Sequence, residues 1–160
     1  MPYLFGASAK LSTDQQRVQW SEEKFFKVLG EKNEHEITEI VKDLYKWSGD
    51  TADRIWFGTG KETGSFTFHY LKDGKTISIF SIYTNGKLRL NYGWLVETLQ
   101  KGTLDRFHSQ IHEIPPFRQI PSDFDNKFPY VKVDALKNPE YLEKFKNVVL
   151  WVKTQIRSQS

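Results

Sequence analysis

The stretch RIWFGTGKETGSFTFHYLKDGKTISIFSIYTNGKLRLNY, residues 54–92, decides the fold. It holds most of the strand-forming residues of the chain, and its glycines fall where turns are needed. Arg54–Phe57 reads as a short strand ending at Gly58. In SFTFHYL, Phe66, Phe68 and Tyr70 face one way, and Thr67, His69 and Leu71 the other. Lys72-Asp73-Gly74-Lys75 predicts a hairpin turn, Asp-Gly being a strong local signal for one. Thr76–Tyr83 is β-branched and apolar on both faces, the pattern of a central strand. Thr84-Asn85-Gly86-Lys87 makes the next tight turn, after which Leu88, Leu90 and Tyr92 alternate with Arg89 and Asn91. Turns this short join antiparallel neighbours, so the expectation is a four-stranded antiparallel meander.

Helical patterns flank the meander. Ser21 followed by Glu22 and Glu23 starts a helix, with Phe25, Phe26 and Leu29 as its apolar stripe and Gly30 as the expected stop. Ile37, Ile40, Val41, Leu44 and Trp47 put a second helix over residues 34–48, with Gly49 as a left-handed end residue. After the sheet, Trp94–Gln100 predicts a short helix closed by Gly102. Thr103 caps the next, whose face is Leu104, Phe107, Ile111 and Ile114, until Pro115-Pro116 ends it. Pro116, Pro121 and Pro129 mark an irregular packed loop to about Val133. Asn138-Pro139 opens a long closing helix striped by Leu142, Phe145, Val149, Val152 and Ile156. The fold class is therefore α+β, with an N-terminal arm over residues 1–20 and one domain over residues 21–160.

Composition agrees with a globular domain: hydrophobic residues are 38% and charged residues 27% of the 160. Aromatic residues reach 15%, a share that has to be packed for the most part. No apolar run approaches the roughly 20 residues of a membrane helix, and residues 1–16 lack the apolar core of a secretion signal. A cytosolic (cytoplasmic) protein with no membrane partner is the expectation. Zero cysteines exclude disulfides, thiolate catalysis and Cys-ligated zinc. Charge is uneven: residues 1–50 carry 7 Lys/Arg against 9 Asp/Glu, whereas residues 51–160 carry 16 against 11. A basic sheet and tail are compatible with an anionic partner.

The order of motifs resembles an uncharacterised conserved region of bacterial hypothetical proteins. The matching residues are Trp56, Gly58-Thr59-Gly60, Gly64-Ser65-Phe66, Ile82-Tyr83, Gly86-Lys87-Leu88, Ile114-Pro115, and Trp151-Val152 with Ile156. The resemblance implies a module that accompanies other modules, some of them nuclease-like, and implies no activity of its own.

Three constellations carry candidate chemistry. The loop Gly58-Thr59-Gly60-Lys61-Glu62-Thr63-Gly64-Ser65 fails the phosphate-loop pattern, because Glu62 stands where Ser or Thr is required and Ile55 where the first glycine is. It reads either as a flexible connection with glycines supplying positive φ, or as an anion nest of exposed amides with Lys61 and Ser65. His108 and His112 share one helix face at i and i+4, a spacing for zinc, with no third ligand to name. His69 lacks a defined orienting partner, so no catalytic residue is assigned. Arg54, Lys61, Lys75, Lys87 and Arg89, interleaved with Trp56, Tyr70, Tyr83, Tyr92 and Trp94, have the composition of a nucleic-acid surface.

The leading expectation is a non-catalytic binding or accessory module contacting DNA or RNA. Its contacts are Arg54, Trp56, Gly58, Gly60, Lys61, Gly64, Ser65, Lys87 and Arg89, with no cofactor. A protein-interaction or inhibitor domain is the alternative. A metal-dependent hydrolase or nuclease is the third reading.

Overall fold

Two hairpin turns set the sheet. In the computed structural model, which describes residues 18–121 and 128–158, Asp73 (φ 51°), Gly74 (φ 78°) and Gly86 (φ 82°) take left-handed backbone. Positive φ at Asp73 and Gly74 in succession matches the twist of the strands on either side of the turn. The strands are β1 (Arg54–Phe57), β2 (Ser65–Lys72), β3 (Lys75–Tyr83), β4 (Lys87–Leu90) and β5 (Tyr130–Lys132). They lie in the order β1-β2-β3-β4-β5, every neighbouring pair antiparallel.

Among the described residues the sheet thus has five strands rather than the expected four. The fifth is three residues long and lies inside the segment expected to be an irregular loop. Its one buried residue, Val131, between two exposed ones is too short a pattern to read as strand alternation. It exists because the open edge of β4 offers backbone partners: Leu88 registers with Val131, and the ladder is prolonged by Leu90 N to Pro129 O (2.8 Å) and Val133 N to Gly86 O (2.8 Å).

Five α-helices among the described residues complete the α+β fold: α1 (Glu22–Lys32), α2 (His35–Thr51), α3 (Tyr92–Thr98), α4 (Lys101–His112) and α5 (Pro139–Ser158). Their boundaries correct several expectations. Gly30 and Gly49 lie within α1 and α2. A glycine weakens a helix by only about 1 kcal/mol against alanine, which packing of the apolar face outweighs. The α1–α2 break comes instead at Asn33, whose Nδ2 donates to Leu29 O (2.9 Å) and Thr84 O (2.8 Å). Gly102 and Thr103 fall in the first turn of α4 rather than before it. Asn138 does cap α5, accepting from Glu140 N at 2.9 Å.

One face of the sheet is apolar and receives the helices. Phe25 of α1 meets Phe66 edge-on (5.3 Å), Trp47 of α2 stacks on Phe68 (5.6 Å), and Phe145 of α5 meets Phe80 (5.1 Å). All six of these rings except Trp47 are fully buried, each worth about 1.5–3 kcal/mol of apolar burial. Sixteen of the 24 aromatic residues belong to the core or pack against it. No described helix is long and apolar enough to cross a membrane.

The arm expected over residues 1–20 lies outside the described residues as far as residue 17. Gln19 and Trp20 are tied to the domain, Gln19 by its Nε2 donating to Phe57 O (2.8 Å) from an exposed position. Trp20 is buried, its backbone N–H donates to Gly58 O (2.9 Å), and its indole N–H donates to Gly60 O (2.6 Å).

Candidate binding face of the sheet

The face opposite α1, α2 and α5 is polar, and its residues follow from strand register. Trp56 pairs with Thr67, Thr67 with Ser81, Ser81 with Arg89, and Arg89 with Tyr130. These five side chains form one row across all five strands. Trp56 (42% exposed) and Tyr130 (54%) stand at its two ends, and Ser81 (1%) lies at its floor. Two residues along, Ser65 pairs with Tyr83 and Lys87 with Lys132, a second row on the same face. In the opposite direction lie Arg54 and His69, with Ser78 beyond.

A chain of hydrogen bonds fixes the floor. Thr67 Oγ1 and Ser81 Oγ are 2.7 Å apart, Asn91 Nδ2 donates to Ser81 Oγ (3.3 Å), and Arg89 Nε donates to Asn91 Oδ1 (3.0 Å). The Arg89 guanidinium is enclosed by rings: it lies 4.8 Å from Phe128 and 5.3 Å from both Tyr83 and Trp94. Lys87 Nζ sits 4.3 Å over the Tyr130 ring. Burial raises the Tyr83 phenol pKa, partly offset by the Arg89 charge, so this ring is a neutral hydrogen-bonding and stacking surface.

His69 is held by a cation, not a carboxylate. Arg54 Nε donates to His69 Nδ1 (3.1 Å), and the other arm of the guanidinium donates to Thr76 Oγ1 (3.1 Å). Burial first and the Arg54 charge second lower the His69 pKa to about 4. Its ring is neutral near pH 7 with Nδ1 already accepting, so Nε2 carries the proton and offers a donor. That arrangement does not make a general base. Asp53, next to Arg54 in sequence, uses Oδ2 to accept from Leu71 N (2.8 Å).

Of the residues singled out in the sequence, Arg54, Trp56, Ser65, Lys87 and Arg89 come together on this face. The glycines do not. Among the described residues, none of Gly58, Gly60 and Gly64 has positive φ, contrary to the expectation for a flexible connection. They are small because the chain is crowded: a Cβ on Gly64 would lie 2.4 Å from the Trp20 ring, and one on Gly60 2.4 Å from Thr63 O. Two amides of the loop are spent internally: Gly58 N donates to Ser65 O (3.0 Å) and Gly64 N to Thr84 Oγ1 (3.0 Å). Lys61 is exposed in this loop, at the sheet end shared with the β3–β4 turn and Lys132.

His108 and His112 lie together, ring centroids 4.3 Å apart. Each has one nitrogen committed, His108 Nδ1 to the Tyr92 hydroxyl (2.9 Å) and His112 Nε2 to Ile120 O (2.5 Å). Among the described residues no group of three or more His, Asp or Glu is arranged to hold a metal ion. Sequence reasoning missed Thr67, Ser81, Asn91, Phe128, Tyr130 and Lys132. The first three are legible once strand pairing is known, whereas the last three depend on β5.

Comparison of the chain with protein-family models, with curated proteins and with solved structures gave no significant match.

Proposed function

We propose that the chain is a non-catalytic binding module that contacts nucleic acid through the polar face of its sheet. The observation that carries this reading is the Trp56–Thr67–Ser81–Arg89–Tyr130 row, which combines exposed rings, a hydrogen-bonding floor and a guanidinium on one side of the molecule. Bases stack on exposed aromatic rings, and lysine and arginine neutralise phosphates. Four inter-strand gaps of about 4.8 Å make the row roughly 19 Å long, enough for several contacts in succession. The emphasis moves from the glycine loop to the polar face, because the loop spends its Gly58 and Gly64 amides internally.

Fluorescence anisotropy with short DNA and RNA, single-stranded and duplex, at about 50 mM salt tests it. Binding that weakens steeply with added salt is expected. Trp56→Ala, whose fold circular dichroism can verify, should weaken binding roughly 5- to 150-fold, the equivalent of one stacked base at about 1–3 kcal/mol. No binding at about 100 μM protein, the weak end of the usual range of non-specific affinities, overturns the reading.

A further inference from the structure

We infer that a cleft at one end of the polar face, lined by four lysines, holds the phosphates of a single strand whose bases lie on the face; this rests on the nucleic-acid reading above. The cleft is about 380 Å³ and lies between the C-terminal end of α1 and the β3–β4 turn. Lys32, Lys87, Lys132 and Lys137 line it, against Glu34 and Asp134.

Register places two of these lysines in opposition. Lys87 and Lys132 are direct cross-strand partners on β4 and β5, a like-charge arrangement that destabilises a sheet unless something neutralises it. The acids nearby do not supply that. Lys137 pairs with Glu36 at 3.7 Å, while among the described residues Lys32, Lys87 and Lys132 form no ion pair. Four lysines against two acids leave the lining of the cleft with a net positive charge, and three of the four lysines are without an ion pair among the described residues. Lysines act as mobile point charges, which suits a backbone whose phosphates recur without fixed orientation.

The cleft and the face share Lys87 and Lys132. Lys87 and Lys132 share the side of the sheet that carries Arg89 and Tyr130, and Lys87 Nζ lies over the Tyr130 ring. A strand crossing from Trp56 to Tyr130 thus meets the lysines as it leaves the row. The strand has to be single, because stacking on Trp56 and Tyr130 requires base faces that a duplex keeps within its own stack.

The test compares the full chain with its Lys87→Gln/Lys132→Gln double variant and with Trp56→Ala. Each is titrated with a labelled oligothymidylate and with a duplex of equal length over a salt series. Both lysines are at least partly exposed and the substitutions relieve their mutual repulsion, so the double variant should keep the wild-type circular dichroism and melt no lower than the wild type. Single-strand binding by the wild type is expected to exceed duplex binding. The slope of log K against log salt should fall in magnitude by about 1.4 in the double variant, roughly 0.7 for each phosphate no longer neutralised. Trp56→Ala should weaken binding with its slope unchanged. If the wild type binds the single strand but the double variant keeps its slope and affinity, the cleft is not the phosphate site, while the function proposed for the face stands. Equal or tighter duplex binding overturns the single-strand assignment. If the wild type binds neither, the functional reading falls and the subsite with it.

Discussion

Arg54 and His69 show how surroundings decide what a side chain can do. Burial first, and the guanidinium donating to Nδ1 second, hold the imidazole neutral near pH 7, which leaves the proton on Nε2. The folded His69 pKa, about 4, lies below its ordinary 6.5. As pH falls, the unfolded chain therefore takes up this proton before the folded one does. The stability linked to His69 is complete above about pH 6.5 and is lost between pH 6.5 and about 4. Urea denaturation at a series of pH values should show this decline, and His69→Gln should remove its share. Nuclear magnetic resonance titration of the ring in Arg54→Gln should give a pKa above 4 yet still below 6.5, since burial, the larger cause, persists. An unchanged pKa would mean that the Arg54 charge does not act on the ring.

Glycines separate the elements into two kinds. Gly30 and Gly49 sit inside α1 and α2, and a Cβ at either position would have nothing within 4 Å. Alanine at either site should stabilise the protein by about 0.5–1 kcal/mol, through the lower backbone entropy of the unfolded chain. Gly64 is the reverse case: a Cβ there would meet the Trp20 ring at 2.4 Å, so Gly64→Ala should cost about 1–3 kcal/mol as an overpacked site. Chemical denaturation of the three variants checks the signs. Opposite signs for the helical and loop positions are the point of the series, because both kinds carry the same punctuation signal in sequence. Strand β5 makes a related case. Its three residues have no period of their own, and the neighbouring edge of β4 gives them their conformation.

Sheet and closing helix are tied together by bonds that span the molecule. Tyr70 in β2 donates its buried hydroxyl to Val149 O of α5 at 2.9 Å, Lys72 Nζ donates to Ile156 O, and Lys146 pairs with Asp43 of α2 at 2.6 Å. Tyr70→Phe removes one neutral hydrogen bond without opening a cavity. It should lower stability by about 0.5–1.5 kcal/mol, read from the urea midpoint with an unchanged m-value. Burial keeps the Tyr70 hydroxyl protonated, its pKa pushed well above 10 mainly by desolvation, so this link should hold through the neutral and mildly alkaline range. The consequence for function is a rigid platform: with the apolar face clamped by three helices, the polar face keeps its register.

Alternation and tight-turn chemistry are sufficient to place β1 to β4, their antiparallel order and the identity of the apolar face. Cap and stripe signals locate α1, α2 and α5, and mislead only where a glycine inside a helix reads as its stop. These features are local: a side chain's face follows from counting along its own strand or helix. The candidate site is not local. Trp56, Ser81, Arg89 and Tyr130 are drawn from four strands, and Lys32, Lys87, Lys132 and Lys137 from segments up to about a hundred residues apart. Which rings are buried and which stand at the surface depends on the helices covering one side of the sheet. Whether the glycine loop offers its amides depends on Trp20 and Thr84 taking up its polar groups and its space. Those outcomes are set by packing between distant segments, and no spacing within the chain encodes them.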